Sequence, residues 1–250
     1  MTKASETRLG GPGRDRARRM IHPIFCGEVL VPWALSPTDL TFLWDDCPRC
    51  FYNKIVLKQP RPRGPFPVVF NQIDRAMKDC YLGERADALV PGMPPGVFVG
   101  RDQWVRSAAI VPMGANSACL IRGRVDVLVD CDDGTTAVID MKTAEPGAAN
   151  VEKYSRQLHA YALALENPAS GPATTVSELG LLSFVPASFV GTDEKAALCG
   201  DLRWLEVERD DEAFLCFLTE VVSVLEQPEP PPASPECCWC AWHGDIRVLA

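Results

Sequence analysis

No apolar run in the 250-residue sequence approaches the roughly 20 residues that a membrane-crossing helix needs, so a helical membrane protein is excluded. The first 20 residues are polar and rich in arginine, with no apolar segment behind them. They read as a disordered basic tail and not as a secretory signal. No internal repeat is visible, so the chain is no solenoid. Histidine is scarce, with only His22, His159 and His243. Excess positive charge is missing too: the net charge is −8 and the pI about 5.0, which alone argues against a nucleic-acid binder. Its distribution qualifies this. Residues 1–63 hold 11 Lys/Arg against 6 Asp/Glu, a net of +5, which leaves −13 for the rest. A basic N-terminal third can face phosphates above an acidic, soluble body, or it can be a solvated tail with no partner.

What is present suits a soluble, cytoplasmic protein. The composition is 47% hydrophobic and 23% charged, enough for one large domain over residues 21–250. Cysteine is abundant, at 11. Without a signal peptide a disulfide framework is not expected, and clustered thiols point to a bound metal or an iron–sulfur centre.

Local patterns place the elements. Ser36-Pro37-Thr38-Asp39 combines a capping hydroxyl, Pro at the first helical position and an acidic residue to close a capping box. Leu40, Leu43 and Trp44 follow at helical spacing until Cys47-Pro48. Residues 59–67 are a Pro-rich loop, and 68–81 a helix whose apolar face is Ile73, Met77, Cys80 and Tyr81. After a loop at 91–97, strands are expected at 103–111, 119–130 and 136–142. The turn Asp132-Asp133-Gly134 joins the last two as a hairpin. A helix over 152–166, strands over 180–190 and 202–208, and a helix over 210–226 capped by Asp210 complete the body. Residues 227–236 are a Pro-rich spacer. The fold class is α/β, a mixed sheet flanked by helices.

The hairpin carries the chemistry. Asp126 lies on its first strand and Asp140 on its second, so the turn brings the two carboxylates together. Asp140 and Lys142 are two apart and emerge on one face. All three interrupt strands that are otherwise apolar, and charges within buried strands need a reason. Two carboxylates suit a hard cation such as Mg²⁺, and an adjacent lysine can orient an attacking water or favour its deprotonated form.

Gly123-x-x-Asp126, a turn, Ile139-Asp140-x-Lys142-Thr143 and a helix bearing Gln157-x-x-x-Tyr161 resemble the nuclease motifs of the RecB-like branch of the PD-(D/E)xK superfamily. The resemblance implies a restriction-endonuclease-like fold and hydrolysis of DNA phosphodiesters. It implies Mg²⁺ or Mn²⁺ on Asp126 and Asp140, a catalytic Lys142, and support from Gln157 and Tyr161. Branch members often add a metal-binding histidine from an upstream helix. Here none falls within 68–81, and Asp74 stands near that place. It can serve as the third ligand or pair with Lys78 at i+4. His159 reads as a helix surface residue.

Cys47-Pro48-Arg49-Cys50 and Cys237-Cys238-Trp239-Cys240 supply paired thiols near opposite ends of the chain. Cys47, Cys50, Cys237 and Cys240, with Cys238 as alternate, suit Zn²⁺ or an iron–sulfur cluster. This arrangement resembles the CRISPR integration-associated nucleases and AddB-type nuclease domains, which hold a [4Fe–4S] cluster with one N-terminal and three C-terminal cysteines. It implies a cap made of residues 36–67 and 227–250, single- or double-stranded DNA as substrate, and protein partners in a DNA-processing assembly. A nuclease-like subunit that binds DNA without cutting it, or a nuclease acting on RNA, is also compatible with these residues.

Overall fold

The computed structural model describes residues 21–22, 31–62, 64, 67–143, 145, 147–192 and 194–242. The expected basic tail at 1–20, and residues 243–250 of the expected cap, lie outside them. Along the chain run β1 (Ile21–His22), β2 (Trp33–Leu35), a π-helical turn (Asp39–Leu43) continuing into Trp44–Asp46, α1 (Pro48–Ile55), α2 (Val68–Tyr81) and α3 (Ala86–Leu89). There follow β3 (Gly96–Arg106), β4 (Val111–Pro112), β5 (Cys119–Cys131), β6 (Thr136–Lys142), α4 (Ala148–Glu166), β7 (Val176–Thr192), β8 (Lys195–Glu206) and α5 (Asp211–Leu225). Among the described residues no helix is long and apolar enough to cross a membrane.

Several local signals act as their chemistry predicts. Ser36 Oγ accepts from Asp39 N at 3.2 Å, and Asp210 Oδ1 accepts from Ala213 N at 2.9 Å to cap α5. Gly134 sits at φ +82° in the hairpin turn, where its N–H donates to Cys131 O. Other expectations shift. Asp39 does not close a capping box; both its oxygens accept from Lys54 Nζ at 2.6 Å, a stronger, charged partner. Cys47 is extended, which ends the first helix, but Pro48 at once opens α1, a helix the sequence pattern did not show.

The strand expected at 103–111 lies earlier, over Gly96–Arg106, and takes in part of the expected loop. Its course is set by pairing with β5, from Gly96↔Cys131 to Arg106↔Arg122, and not by its own alternation. A bulge between Val99 and Arg101 obscures that alternation. α4 starts at Ala148, before the expected 152. β7 and β8 are longer than expected because they pair with each other out to Thr192↔Lys195.

The main sheet has six strands in the order β2-β5-β6-β7-β8, with β3 on the other edge of β5. It is mixed: β6 pairs antiparallel to β5 and parallel to β7, while β2 is parallel to β5. One face packs on α1, α4 and α5 through residues such as Leu35, Phe51, Val138, Leu158, Leu179 and Leu218. The other packs on α2 and α3 through Met77, Ala86, Phe98, Val127, Ile139 and Leu182. The α/β mixed sheet flanked by helices is therefore the observed architecture. β6 is buried along its length except at Lys142, because helices cover both faces of this central strand.

The feature that positions the site is a fork in the sheet. One edge of β5 is taken by β3 and its continuation, down to Ser107 N donating to Ile121 O. The other edge is shared: β6 pairs with residues 127–130 and β2 with residues 119–121. Between them, residues 122–126 have no strand on that edge among the described residues.

Candidate active site

Asp126 and Asp140 sit where the β5–β6 ladder stops, one step past the last pair Val127↔Ile139. In place of a further ladder bond, Asp126 Oδ2 accepts from Met141 N at 3.2 Å. The first carboxylate thus reaches across the opening fork to the second strand. Asp140 is 1% exposed; its Oδ1 accepts from Gln157 Nε2 at 3.0 Å and its Oδ2 pairs with Lys142 Nζ. The Lys142 ammonium also lies over the Tyr154 ring, 4.6 Å from its centroid. The geometry thus brings Asp126, Asp140, Lys142 and Gln157 together.

Gln157 and Tyr161 share one face of α4, as their spacing of four requires. The Tyr161 hydroxyl donates to Arg124 O at 2.7 Å, satisfying a carbonyl in the stretch of β5 that has a strand on one edge alone. Gly123 makes this approach feasible. A Cβ there would lie 2.8 Å from Pro37 Cδ and 3.1 Å from Tyr161 Cε1. Gly123→Ala is expected to cost about 1–3 kcal/mol by overpacking, read as a lower unfolding midpoint in denaturant. An unchanged midpoint would show that the contact yields.

The electrostatics follow from burial in a charged cluster. Burial raises the Asp140 carboxyl to about 7, against the lowering pull of Lys142. Burial also opposes ionisation of Asp126, but Lys78 and Lys142 outweigh it and hold that carboxyl below its usual range. Burial disfavours the charged Lys142, yet Asp140 and Asp126 overcome this and raise its pKa.

Lys78, which sequence reasoning treated only as a partner for Asp74, is central here. It is 3% exposed, and its ammonium lies 2.9 Å from Asp74 Oδ2, 2.9 Å from Asp126 Oδ1 and 3.1 Å from Asp102 Oδ1. Asp74 therefore stands one ammonium away from Asp126. Asp102 was also missed; it reaches the cluster from the β3 bulge, at φ +52°. One signal was available: a lysine beside Met77 on the apolar side of an amphipathic helix needs a buried counter-charge.

The donor set fits a hard divalent cation. Two carboxylates converge, and Gln157 Oε1 beside them is a buried acceptor with no hydrogen-bond partner among the described residues. An unsatisfied oxygen next to two carboxylates suits such an ion or its bound water.

His159 is not on the surface. It is 3% exposed, its Nδ1 donates to Ser155 O at 2.8 Å, and its Nε2 accepts from Asp210 N at 2.8 Å. It tethers α4 to the start of α5. Burial lowers its pKa, consistent with a neutral ring.

The second cluster forms where the cysteine spacing predicted. Cys47, Cys50, Cys237 and Cys240 have Sγ atoms all within 4.8 Å of one another, whereas Cys238 is exposed and outside the group. Arg61, from the loop expected only as a linker, donates through Nη2 to Cys237 Sγ at 3.2 Å and pairs with Asp46 at 3.2 Å.

A family model described as the PD-(D/E)XK nuclease superfamily matches residues 81–244, roughly two-thirds of the chain. No curated protein matches. Among solved structures, one titled "Crystal structure of SSO0001" is similar at a TM-score of 0.48 and 15% identity, covering 82% of this chain and 81% of that one. With the family model spanning the hairpin, α4 and the C-terminal cysteines, the chain belongs to the PD-(D/E)XK nuclease superfamily.

Proposed function

We propose that this protein is a RecB-like nuclease that hydrolyses DNA phosphodiesters with Mg²⁺ or Mn²⁺ held by Asp126 and Asp140. The observation that carries the reading is the fork. Two carboxylates and an ammonium meet where the sheet opens, with Gln157 of the next helix donating to Asp140 and Tyr161 beside it donating to the Arg124 carbonyl. Membership of a nuclease superfamily supports hydrolysis, and the Gln157/Tyr161 pair supports the RecB-like branch.

A bound Mg²⁺ or Mn²⁺ supplies Lewis acidity and an acidified water. The chain's own residues do the rest. Gln157 orients the Asp140 carboxylate, and the Met141 N–H orients that of Asp126. Lys142, steadied by Asp140 and the Tyr154 ring, presents a donor to the attacking water or to a non-bridging phosphate oxygen. Asp74 remains a candidate third ligand once Lys78 gives way.

A route for nucleic acid leads to this point. Arg122 and Arg124 precede Asp126 at alternate positions of β5, so all three share one face, and Arg122 and Arg124 are exposed. Directly across on β3 stand Arg106 and Trp104, the latter 72% exposed. Three arginines and a bare indole beside the carboxylates suit phosphates and an unstacked base. Trp104→Ala is expected to weaken single-stranded DNA binding by about 1–3 kcal/mol. Fluorescence anisotropy with a labelled oligonucleotide reads this; equal affinity would remove the ridge from the substrate path.

The overall test is cleavage of single-stranded DNA, double-stranded DNA and RNA with Mg²⁺ or Mn²⁺, by the wild-type chain and Asp126→Asn. Metal-dependent DNA cleavage that the variant loses supports the reading. Cleavage that persists in chelator, or equally in Asp126→Asn, overturns the site. DNA binding without cleavage favours a silent subunit.

A further inference from the structure

The cysteine cluster has a size, and that size discriminates between metals. Cys50 Sγ lies 3.4 Å from Cys240 Sγ and 3.7 Å from Cys237 Sγ, and Cys47 Sγ lies 3.8 Å from Cys240 Sγ. None of the four is in a disulfide, and no pair is farther apart than 4.8 Å. Four thiolates about 2.3 Å from one tetrahedral ion stand about 3.8 Å from one another, since a tetrahedron's edge is about 1.63 times its centre-to-vertex length. These three separations lie close to that edge, and no pair exceeds it by more than about 1 Å. A cluster of two or more irons places iron and inorganic sulfide between its thiolates, which forces some pairs well beyond such contact.

The surroundings agree with one ion. Cys47 and Cys50 flank the start of α1, while Cys237 and Cys240 bracket one turn of chain, so each pair presents two sulfurs from a single local frame. Four thiolates around a divalent ion leave a local charge of about −2. Arg61, its side chain 18% exposed, places a guanidinium against Cys237 Sγ to offset it. A cavity of about 570 Å³, lined in part by Arg49, Asn53, Arg61 and Trp239, opens against Cys50, Cys237 and Cys240 and gives a chelator access.

We propose that Cys47, Cys50, Cys237 and Cys240 bind a single tetrahedral Zn²⁺, rather than the iron–sulfur cluster that the family resemblance implies, with Arg61 as its outer hydrogen-bond partner. The ion staples α1 to the C-terminal turn. It takes no part in phosphodiester chemistry, so its presence is tested independently of the nuclease reading.

The full chain is purified anaerobically from cells supplied with both iron and zinc, and its metals, acid-labile sulfide and visible spectrum are measured. About one zinc per chain, no sulfide and no colour are expected. An emptied cluster site can acquire zinc, so the protein is also stripped and offered zinc together with ferrous iron and sulfide, anaerobically. Zinc should again fill the site. Iron bound in either experiment, or no metal in the first, overturns the proposal.

Cys238→Ser should keep a full complement of zinc, and its loss would overturn the ligand set. Arg61→Met should still fill with zinc, but with affinity about 10–100-fold lower by chelator competition. Unchanged affinity would overturn the role of Arg61. Cys237→Ser should lose the ion; should that variant fail to fold, the other two still decide the matter.

Discussion

Lys142→Ala is expected to lower metal-dependent DNA cleavage about 10²–10³-fold, the scale on which one buried donor to a developing anion acts. Two effects contribute, and they can be separated. Lys142 is the cation paired with Asp140 Oδ2, and Asp140 already titrates near 7 because it is buried. Without the ammonium its pKa rises further, so at neutral pH the carboxyl is protonated. Ligation requires the carboxylate, so metal affinity falls as well. Lys142→Arg keeps the charge beside Asp140 but replaces a compact ammonium with a planar fork. It should therefore bind Mn²⁺ nearly as well as wild type while cleaving slowly. Calorimetric titration of Mn²⁺ beside single-turnover cleavage distinguishes the two losses. Full activity in Lys142→Ala would remove Lys142 from the reaction.

The second large effect is on stability. Lys78 is the positive centre of a cluster with Asp74, Asp102 and Asp126, and it ties α2 to β5 and to the β3 bulge. α2 has little else to hold it: Met77 is its only other buried residue, and Val68, Val69 and Phe70 are exposed. Lys78→Met leaves three carboxylates facing one another. Removing one partner of a fully buried pair costs about 3–5 kcal/mol. Asp74 and Asp102 are more than a third exposed, so about 2–3 kcal/mol is the better expectation here. In a chain of this size that lowers the melting temperature by roughly 5–10 °C. Mg²⁺ or Mn²⁺ should then raise the midpoint of Lys78→Met more than that of wild type, because the ion supplies the missing positive charge to Asp126. Equal midpoints without metal, or equal shifts with it, would show that Lys78 is not the counter-charge of this site.

Much of this protein was legible residue by residue. The β5–β6 hairpin follows from two apolar strands around Asp132-Asp133-Gly134, a short-range signal that no distant contact needs to support. The α5 cap at Asp210 and the meeting of two CxxC pairs were readable for the same reason. Each motif carries its own chemistry within a few residues. Elements without such a signal were misplaced. β3 was read too late because a bulge breaks its alternation, and α1 was passed over because Pro48 both ends one helix and opens the next. His159 was assigned to the surface because nothing near it in sequence reveals that the Asp210 N–H will close over its ring.

By itself, then, the sequence singled out the polar side chains that the fold gathers: Asp126, Asp140 and Lys142 within one hairpin, and four thiols in two pairs. Only the tertiary structure decided what surrounds them. The fork exists because β5 passes from β6 to β2, whose pairings Trp33↔Cys119 and Leu35↔Ile121 join residues 86 apart, while the pairings with β6 are local. Lys78 and Asp102 reach the fork from α2 and the β3 bulge, and Arg61 reaches Cys237 across most of the chain. Charge, unlike hydrophobic periodicity, leaves no repeat in the sequence to show which opposite charge it will meet. That pairing is set by where buried strands and helices bring their ends together.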